Sequence, residues 1–162
     1  MNSDFKELLK IFAETKVKYL IIGGYAVAKH AEPRYTKDLD IWIDNSSENA
    51  ERVYRALKEF GAPLTDITVE DFTIPTLVFQ IGIEPSRIDI LMGLKELDFD
   101  ECWKRRAIST IGEIEIHFIS LDDLIFNKQL AGRPQDLRDA ENLKLKKSEQ
   151  SNIDKPLPKS DE

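Results

Sequence analysis

YLIIGGYAVAKHAEPRYTKDLDIWID, residues 19–44, is the stretch whose reading decides the fold. Tyr19 to Ile22 is a four-residue apolar run, too short for a helix and closed by Gly23-Gly24, so it predicts a buried strand. Tyr25 to Ala31 predicts a short helix that ends before Pro33, because the residue preceding a proline avoids helical angles. Leu39 to Ile43 predicts a second strand with Leu39, Ile41 and Ile43 on one face. A side-chain period of two puts Asp38, Asp40, Trp42 and Asp44 on the other face.

Two features of this stretch carry chemistry. Glycines at a strand-to-helix turn let a phosphate come close to the backbone, and the first helical turn offers it unpaired N–H groups and the positive end of the helix dipole. Asp38 and Asp40 project side by side, about 6–7 Å apart at their Cα atoms. Two ionised carboxylates at that distance repel by roughly 2–3 kcal/mol at an effective dielectric of about 20. Oxygen-only ligands on a rigid strand suit Mg²⁺, which keeps several waters and completes its shell with substrate phosphates. A phosphate cradle beside a carboxylate pair is the minimum kit for metal-assisted nucleotidyl transfer. The pair also has a plainer reading, as two solvated aspartates at a strand start.

The pattern G-G-x-x-x-A…R-x-T-x-D-L-D-I resembles the nucleotidyltransferase superfamily typified by DNA polymerase beta. Within it the chain is most similar to small bacterial nucleotidyltransferase-like proteins, including the toxin subunits of type IV abortive-infection toxin–antitoxin systems. The match covers about residues 19–91, with a weaker motif at 120–143. One departure is visible: many members carry Gly-Ser after the first strand, and Gly24 stands in place of that serine, removing a hydroxyl that can contact phosphate.

The resemblance implies an α/β (α+β) nucleotidyltransferase fold with a mixed, partly antiparallel sheet of about five strands flanked by helices. It implies an NTP substrate and one or two Mg²⁺ ions held by Asp38, Asp40 and a third carboxylate. It also implies phosphate contacts from Gly23 and Gly24, with Arg34 and Thr36 near the triphosphate. Lys37 reads more simply as a solvated side chain.

The third carboxylate comes from the segment R-I-D-I-L. Thr76–Ile81 and Arg87–Leu91 predict a hairpin, with Ile88 and Ile90 facing one way and Arg87, Asp89 and Leu91 the other. An aspartate in so apolar a run is costly to bury unpaired. It is either a salt bridge to Arg87 or a strand-end residue, or it is a third metal-facing group, and the order of motifs in the resembled family supports the last. In that family the residue is a metal ligand or a general base, and the ligand role is preferred here. A cation must fit among the three: an arginine locking any of them with no room for an ion would leave a fold and no enzyme.

Composition sets the outer limits. A chain of 162 residues with 41% hydrophobic and 33% charged content forms one soluble domain with one core. A net charge of −7 argues against a broad nucleic-acid-binding face. The single cysteine, Cys102, excludes an internal disulfide, and no apolar run approaches membrane-spanning length. With no basic-then-apolar leader, the expected compartment is the cytoplasm.

The remaining elements follow in chain order. Residues 4–15 predict a first helix, with Asp4 and Glu7 at capping-box spacing and Phe5, Leu8, Leu9 and Phe12 as its inner stripe. Residues 48–60 predict a helix capped by Asn45-Ser46-Ser47 and stopped by Gly61. After a loop with one helical turn near residues 69–72 and the hairpin, residues 98–106 predict a short helix whose Lys104-Arg105-Arg106 end reads as solvated, its alternative being contact with an RNA backbone. Residues 113–119 predict a half-exposed strand. His117, on its polar face, and His30 lack metal-ligand spacing and read as surface residues.

Ser120 caps a helix running to Ala131, Gly132 stops it, and Pro134 starts another that runs to about Lys147. The sequence D-L-I-F-N-K-Q-L-A-G-R-P-Q-D-L-R-D resembles the C-terminal motif of the same small families, in which the lysine approaches the triphosphate and an aspartate follows in the next helix. Lys128 is accordingly the expected phosphate-facing cation, its plain alternative being an exposed lysine. Arg133 and Asp136 either share that pocket or form a helix-start salt bridge, with Asp139 as an alternative to Asp136.

The nucleotidyltransferase-like domain is thus expected over 1–147 and a flexible tail over 148–162. The expected activity is transfer of a nucleoside monophosphate from an NTP to a hydroxyl of an RNA end, such as that of tRNA, or of a protein, with a toxin role and an antitoxin partner as extensions of the resemblance. Little chain remains for an acceptor domain, so core loops, a homodimer or another partner must recognise the acceptor. Two alternatives stay open: modification of a small molecule in the manner of aminoglycoside or lincosamide nucleotidyltransferases, and a non-catalytic module that binds nucleotides or a partner.

Overall fold

The apolar run at 19–22 forms the strand β1 (Tyr19–Ile22), buried along its whole length. In the computed structural model, which describes residues 1–153, the chain turns straight from β1 into α2 (Gly23–His30) and returns as β2 (Asp38–Ile43). β2 lies antiparallel to β1, with Tyr19 opposite Ile43 and Ile22 opposite Asp40. The glycines are therefore the first turn of the helix and not a loop before it. Gly23 takes φ +67°, a left-handed angle that a side chain resists.

Preceding these is α1 (Ser3–Glu14). Asn2 caps it by accepting the Asp4 N–H at 2.7 Å, so the cap lies two residues before the expected Asp4. Phe5, Leu8, Leu9 and Phe12 are buried as their spacing requires. Helix α3 (Ser47–Phe60) is capped by Ser46 and stopped by Gly61 at φ +93°. A 3₁₀ turn follows at Val69–Thr73. The expected hairpin forms as β3 (Val78–Ile81) and β4 (Arg87–Leu91), and β4 pairs parallel with β2.

Then come α4 (Phe99–Lys104), β5 (Ala107–Ile111), β6 (Ile114–Phe118), α5 (Leu121–Ala131) and α6 (Pro134–Ile153). Strand β5 departs from expectation and makes the sheet six-stranded, in the order β3-β4-β2-β1-β6-β5. It pairs antiparallel with β6 across a turn at Gly112, φ +62°. As an outer strand it leaves Ile108 exposed, so its sequence lacks the clean inside–outside alternation that marks β6.

The six strands form a mixed sheet with helices packed against it. One face of its centre carries Tyr19, Ile21, Leu39, Ile41, Ile43, Ile88 and Ile90, all buried in the core with the inner stripes of α1 and α3. The opposite face changes character along β2. Trp42 is packed edge-on against Phe99 of α4, whereas Asp40 and Asp38 open toward solvent.

Three expectations for the surface are corrected. Arg105 grips Asp123 with two hydrogen bonds of 3.0 Å, and Arg106 lies over the Trp103 ring at 3.8 Å while donating to His117, so of the basic cluster only Lys104 is a largely solvated side chain. His117 packs between Tyr19 and Trp103, and His30 bonds the Ile119 carbonyl at 2.8 Å; both are half-buried structural groups. Helix α6 runs past Lys147 to Ile153, because nothing in that span breaks a helix and Lys146 pairs with Glu149 one turn on. The expected tail is thus helical at 148–153, and its remainder, 154–162, lies outside the described residues. Among the described residues no helix is long and apolar enough to cross a membrane.

Candidate active site

Strand pairing assembles the acidic group. The parallel register of β2 and β4 sets Asp38 beside Arg87 and Asp40 beside Asp89. Adjacent strands are about 4.8 Å apart, so the carboxylates from residues 38, 40 and 89 meet on one face. They line a cleft of about 580 Å³ together with Gly23, Gln80, Arg87 and Lys128. A contiguous pocket of about 250 Å³ extends past Gly24, Arg34, Thr36, Arg133 and Asp136. Another cleft of about 580 Å³, between α1 and β6, holds none of the expected residues.

The glycine turn is fitted to this group. A Cβ built on Gly23 would collide with the Asp40 carboxylate, and one built on Gly24 would come within 2.5 Å of the Thr36 hydroxyl and 3.2 Å of Arg34 Nη2. Position 24 therefore has no room for a side chain, because Thr36 and Arg34 already fill that space. The hydroxyl that Gly24 lacks is supplied beside it by Thr36, which donates to the Asp38 carbonyl at 3.2 Å.

Cations from three elements close the narrower pocket. Lys128 is buried, not an exposed lysine; its Nζ lies 3.4 Å from Asp136 Oδ1 and 3.2 Å from Asp139 Oδ2. Arg34 Nη1 donates to Asp139 Oδ1 at 2.9 Å, and Arg133 Nε donates to Asp136 Oδ2 at 2.7 Å. Asp136 and Asp139 are both buried, so the two readings left open for this motif coexist: a helix-start salt bridge that also walls the pocket. Burial would raise the Asp136 carboxyl, but the Arg133 hydrogen bond and the Lys128 and Arg133 charges outweigh it and hold Asp136 below the usual carboxylate range. Asp139 Oδ2 is near Lys128 but not aligned to accept a hydrogen bond from it. Lys37, expected to be solvated, is half-exposed and pairs with Glu84 at 3.4 Å.

We expect Lys128→Met to destabilise the protein by about 2–4 kcal/mol, since it strips one cation from two buried carboxylates that keep only Arg133 and Arg34. Urea unfolding measures this. A loss below about 0.5 kcal/mol would mean that the lysine is not part of the buried ionic group.

The acidic group carries excess negative charge. Burial, followed by the charges of Asp89 and Asp38, pushes the Asp40 carboxyl up to about 6, and Lys128 offsets only part of this. Asp38 Oδ1 is buried without a hydrogen-bond partner. Arg87 reaches the other atoms: its Nη2 donates to Asp38 Oδ2 at 2.9 Å and Asp89 Oδ2 at 3.2 Å, and its Nε to Asp89 Oδ1 at 3.2 Å. The salt-bridge reading of Asp89 is thus realised geometrically. No three His, Cys, Asp or Glu side chains among the described residues form a ready metal cage.

Arg87 does not bond Asp40, which lines the cleft together with Asp38 and Asp89. An all-oxygen donor set with one orphaned oxygen and one carboxyl raised by its neighbours fits a hard divalent cation such as Mg²⁺. Asp38, Asp40 and Asp89 are the residues that would hold it. Sequence reasoning treated Arg87 only as a partner for Asp89 and did not anticipate Gln80 or Asn127, which also line the cleft. The i, i+2 spacing of Arg87 and Asp89 was the available signal for the arginine.

Several solved structures share this fold. The lincomycin-bound lincosamide antibiotic adenylyltransferase LnuA superposes with a TM-score of 0.57 at 17% identity, covering 89% of this chain and 96% of that one. A putative nucleotidyltransferase from Thermotoga maritima gives 0.55 at 17% identity, with coverage of 92% and 86%. The antibiotic-resistance factor ANT(2'')-Ia gives 0.57 at 13% identity, with coverage of 93% and 91%. At these identities the likeness is one of fold. No curated protein sequence matches the chain. The family model described as nucleotidyltransferase of unknown function (DUF6036) matches residues 2–155, and the protein belongs to that family.

Proposed function

We propose that the protein is a Mg²⁺-dependent nucleotidyltransferase that moves a nucleoside monophosphate from an NTP to an acceptor hydroxyl and releases pyrophosphate. The observation that carries this reading is the meeting of three carboxylates, from residues 38, 40 and 89, at the mouth of a pocket walled by Lys128, Arg34 and Arg133. An acidic group suited to a cation lies next to a pocket whose cations, Arg34, Lys128 and Arg133, are held by Asp136 and Asp139 and would face a polyphosphate. In the reaction the acceptor hydroxyl gives up its proton to solvent and its oxygen bonds to the α-phosphorus, as the bond to the bridging α–β oxygen breaks and its electron pair leaves with pyrophosphate.

Asp38, Asp40 and Asp89 would hold Mg²⁺, which supplies charge neutralisation on the phosphates and alignment of the attacking oxygen. The chain's own groups do the rest. The N–H groups of the first α2 turn would face the phosphates, the side-chain space at Gly23 and Gly24 being given over to Asp40, Thr36 and Arg34. Lys128, fixed by its aspartates, offsets the charge that accumulates on the departing pyrophosphate. Arg34 and the Thr36 hydroxyl flank the same path.

The resemblance points to an RNA end or a protein as acceptor, with a toxin role, an antitoxin or a homodimer as its extensions. The cleft favours a small hydroxylated molecule. Its lining includes apolar Val78, Leu91, Leu94 and Ala131 with the amides of Gln80 and Asn127, and about 580 Å³ is the size of a small-molecule site. The net charge of −7 would repel an RNA backbone and attract a cationic acceptor. The cytoplasm, where NTPs and Mg²⁺ both occur, is the proposed setting.

Incubation with α-labelled NTPs, Mg²⁺, total RNA and a panel of aminoglycosides and lincosamides tests the proposal. Label on a small acceptor is the expected result, and label on RNA or protein would replace the acceptor but keep the chemistry. Stabilisation by Mg·NTP with no transfer to any of these would favour a nucleotide-binding module and overturn the enzymatic reading.

A further inference from the structure

Arg87 is the one cation whose hydrogen bonds engage the carboxylates of both Asp38 and Asp89 among the described residues. Its guanidinium donates three hydrogen bonds of 2.9–3.2 Å to oxygens that would otherwise face an ion. The arrangement is set by the sheet: Arg87 stands opposite Asp38 and two residues before Asp89 on the same face of β4. A planar guanidinium can bridge two carboxylates at once, which an ammonium ion cannot do as well. It leaves Asp38 Oδ1 without a partner and does not bond Asp40, so the acidic group is neutralised on one side only.

We propose that Arg87 is the site's internal counter-cation, competing with the divalent ion for Asp38 and Asp89 and yielding them when the ion arrives. This rests on the metal-dependent reading above. The side chain has the freedom to yield: it is about one-third exposed and sits at the cleft rim. A second acidic group is within reach of its charge, Glu84 on the β3–β4 loop, which is half-exposed and at present pairs with Lys37. The consequence is a site that holds its carboxylates in place without metal but takes up metal more weakly than three free carboxylates would. Metal carried with the nucleotide has the added hold of the phosphate pocket and displaces Arg87 more readily than metal alone. Arg87 is a positioning residue in this scheme.

The test is Mn²⁺ binding by the full chain without nucleotide, followed by the spin-resonance signal of free Mn²⁺, for the wild type, Arg87→Met and Arg87→Lys. Removing one competing charge is expected to tighten Mn²⁺ binding roughly tenfold in R87M and by a smaller factor in R87K. The melting temperature of R87M should be lower than wild type without metal and rise more steeply with added Mn²⁺. Equal or weaker Mn²⁺ binding by R87M overturns the proposal and leaves the metal site standing. Absence of Mn²⁺ binding in all three proteins overturns both. Should R87M not fold, R87K decides alone, since it keeps the charge and loses the bridging fork; unchanged Mn²⁺ affinity there rejects the competition.

Discussion

Replacing Asp40 with asparagine is expected to lower nucleotidyl transfer by a factor of about a thousand or more while making the metal-free protein more stable. The two effects have one cause. Asp40 is half-buried between Asp38 and Asp89, which with burial raise its carboxyl from 3.8 to about 6. A carboxyl raised in the folded state binds its proton more tightly there than in the unfolded chain. Folding is therefore penalised by roughly 2–3 kcal/mol above pH 6, and the penalty fades as pH falls from about 6 to about 4.

Asparagine carries no charge, so Asp40→Asn should be the more stable protein at pH 7.5, and its advantage should shrink toward pH 4. The difference between the two proteins is the quantity to measure. His30 and His117, lowered mainly by burial, destabilise both proteins equally as pH falls below their ordinary range, and so cancel. Thermal melts across pH 4–8 and pyrophosphate release with Mg·NTP give both readouts. A variant that keeps transfer, or that is less stable at every pH, would show that Asp40 is neither the charged centre nor the source of strain.

The second large effect is expected at Gly23. Alanine there faces two costs, and the structure provides a way to separate them. The first is conformational: at φ +67° a Cβ crowds its own backbone, which costs about 1–2 kcal/mol. The second is steric, since the new methyl runs into the Asp40 carboxylate. Relief requires displacing the Asp40 side chain, at a further cost of about 1–3 kcal/mol. Gly112 has nearly the same angle, φ +62°, with nothing within 4 Å of an added Cβ. Gly112→Ala thus measures the conformational term alone. Gly23→Ala should exceed it in urea unfolding and should also abolish transfer, by displacing both the helix terminus and Asp40. Equal losses at the two positions would mean that the turn gives way without disturbing the carboxylates, and the glycine would then be a matter of backbone angle only.

Several of the site's parts were visible before any coordinates. The apolar run at 19–22, the glycines after it and the period-two pattern through Asp38 and Asp40 are local features, set by neighbours along the chain. The same holds for Asp89, an acid embedded in isoleucines, and for the caps at Ser46 and Ser120. Strand β5 was illegible because an outer strand is stabilised by its pairing to β6 and not by its own pattern. The length of α6 was underestimated for a related reason: a polar composition suggested a tail, but composition does not end a helix that lacks a breaker.

What the chain alone determined, then, was which segments form strands and helices and which acids and bases face one way from them. What only tertiary structure decided was how segments about fifty residues apart are aligned. The parallel register of β2 with β4 brings Asp40 level with Asp89 and Asp38 level with Arg87; a shift by one residue would have put Asp89 on the opposite face of the sheet. The docking of α6 against α5 likewise turned Asp136 and Asp139 into buried partners for Lys128. Register and docking are chosen by the packing of the whole core, whose energy is spread over many residues, so no short motif contains them.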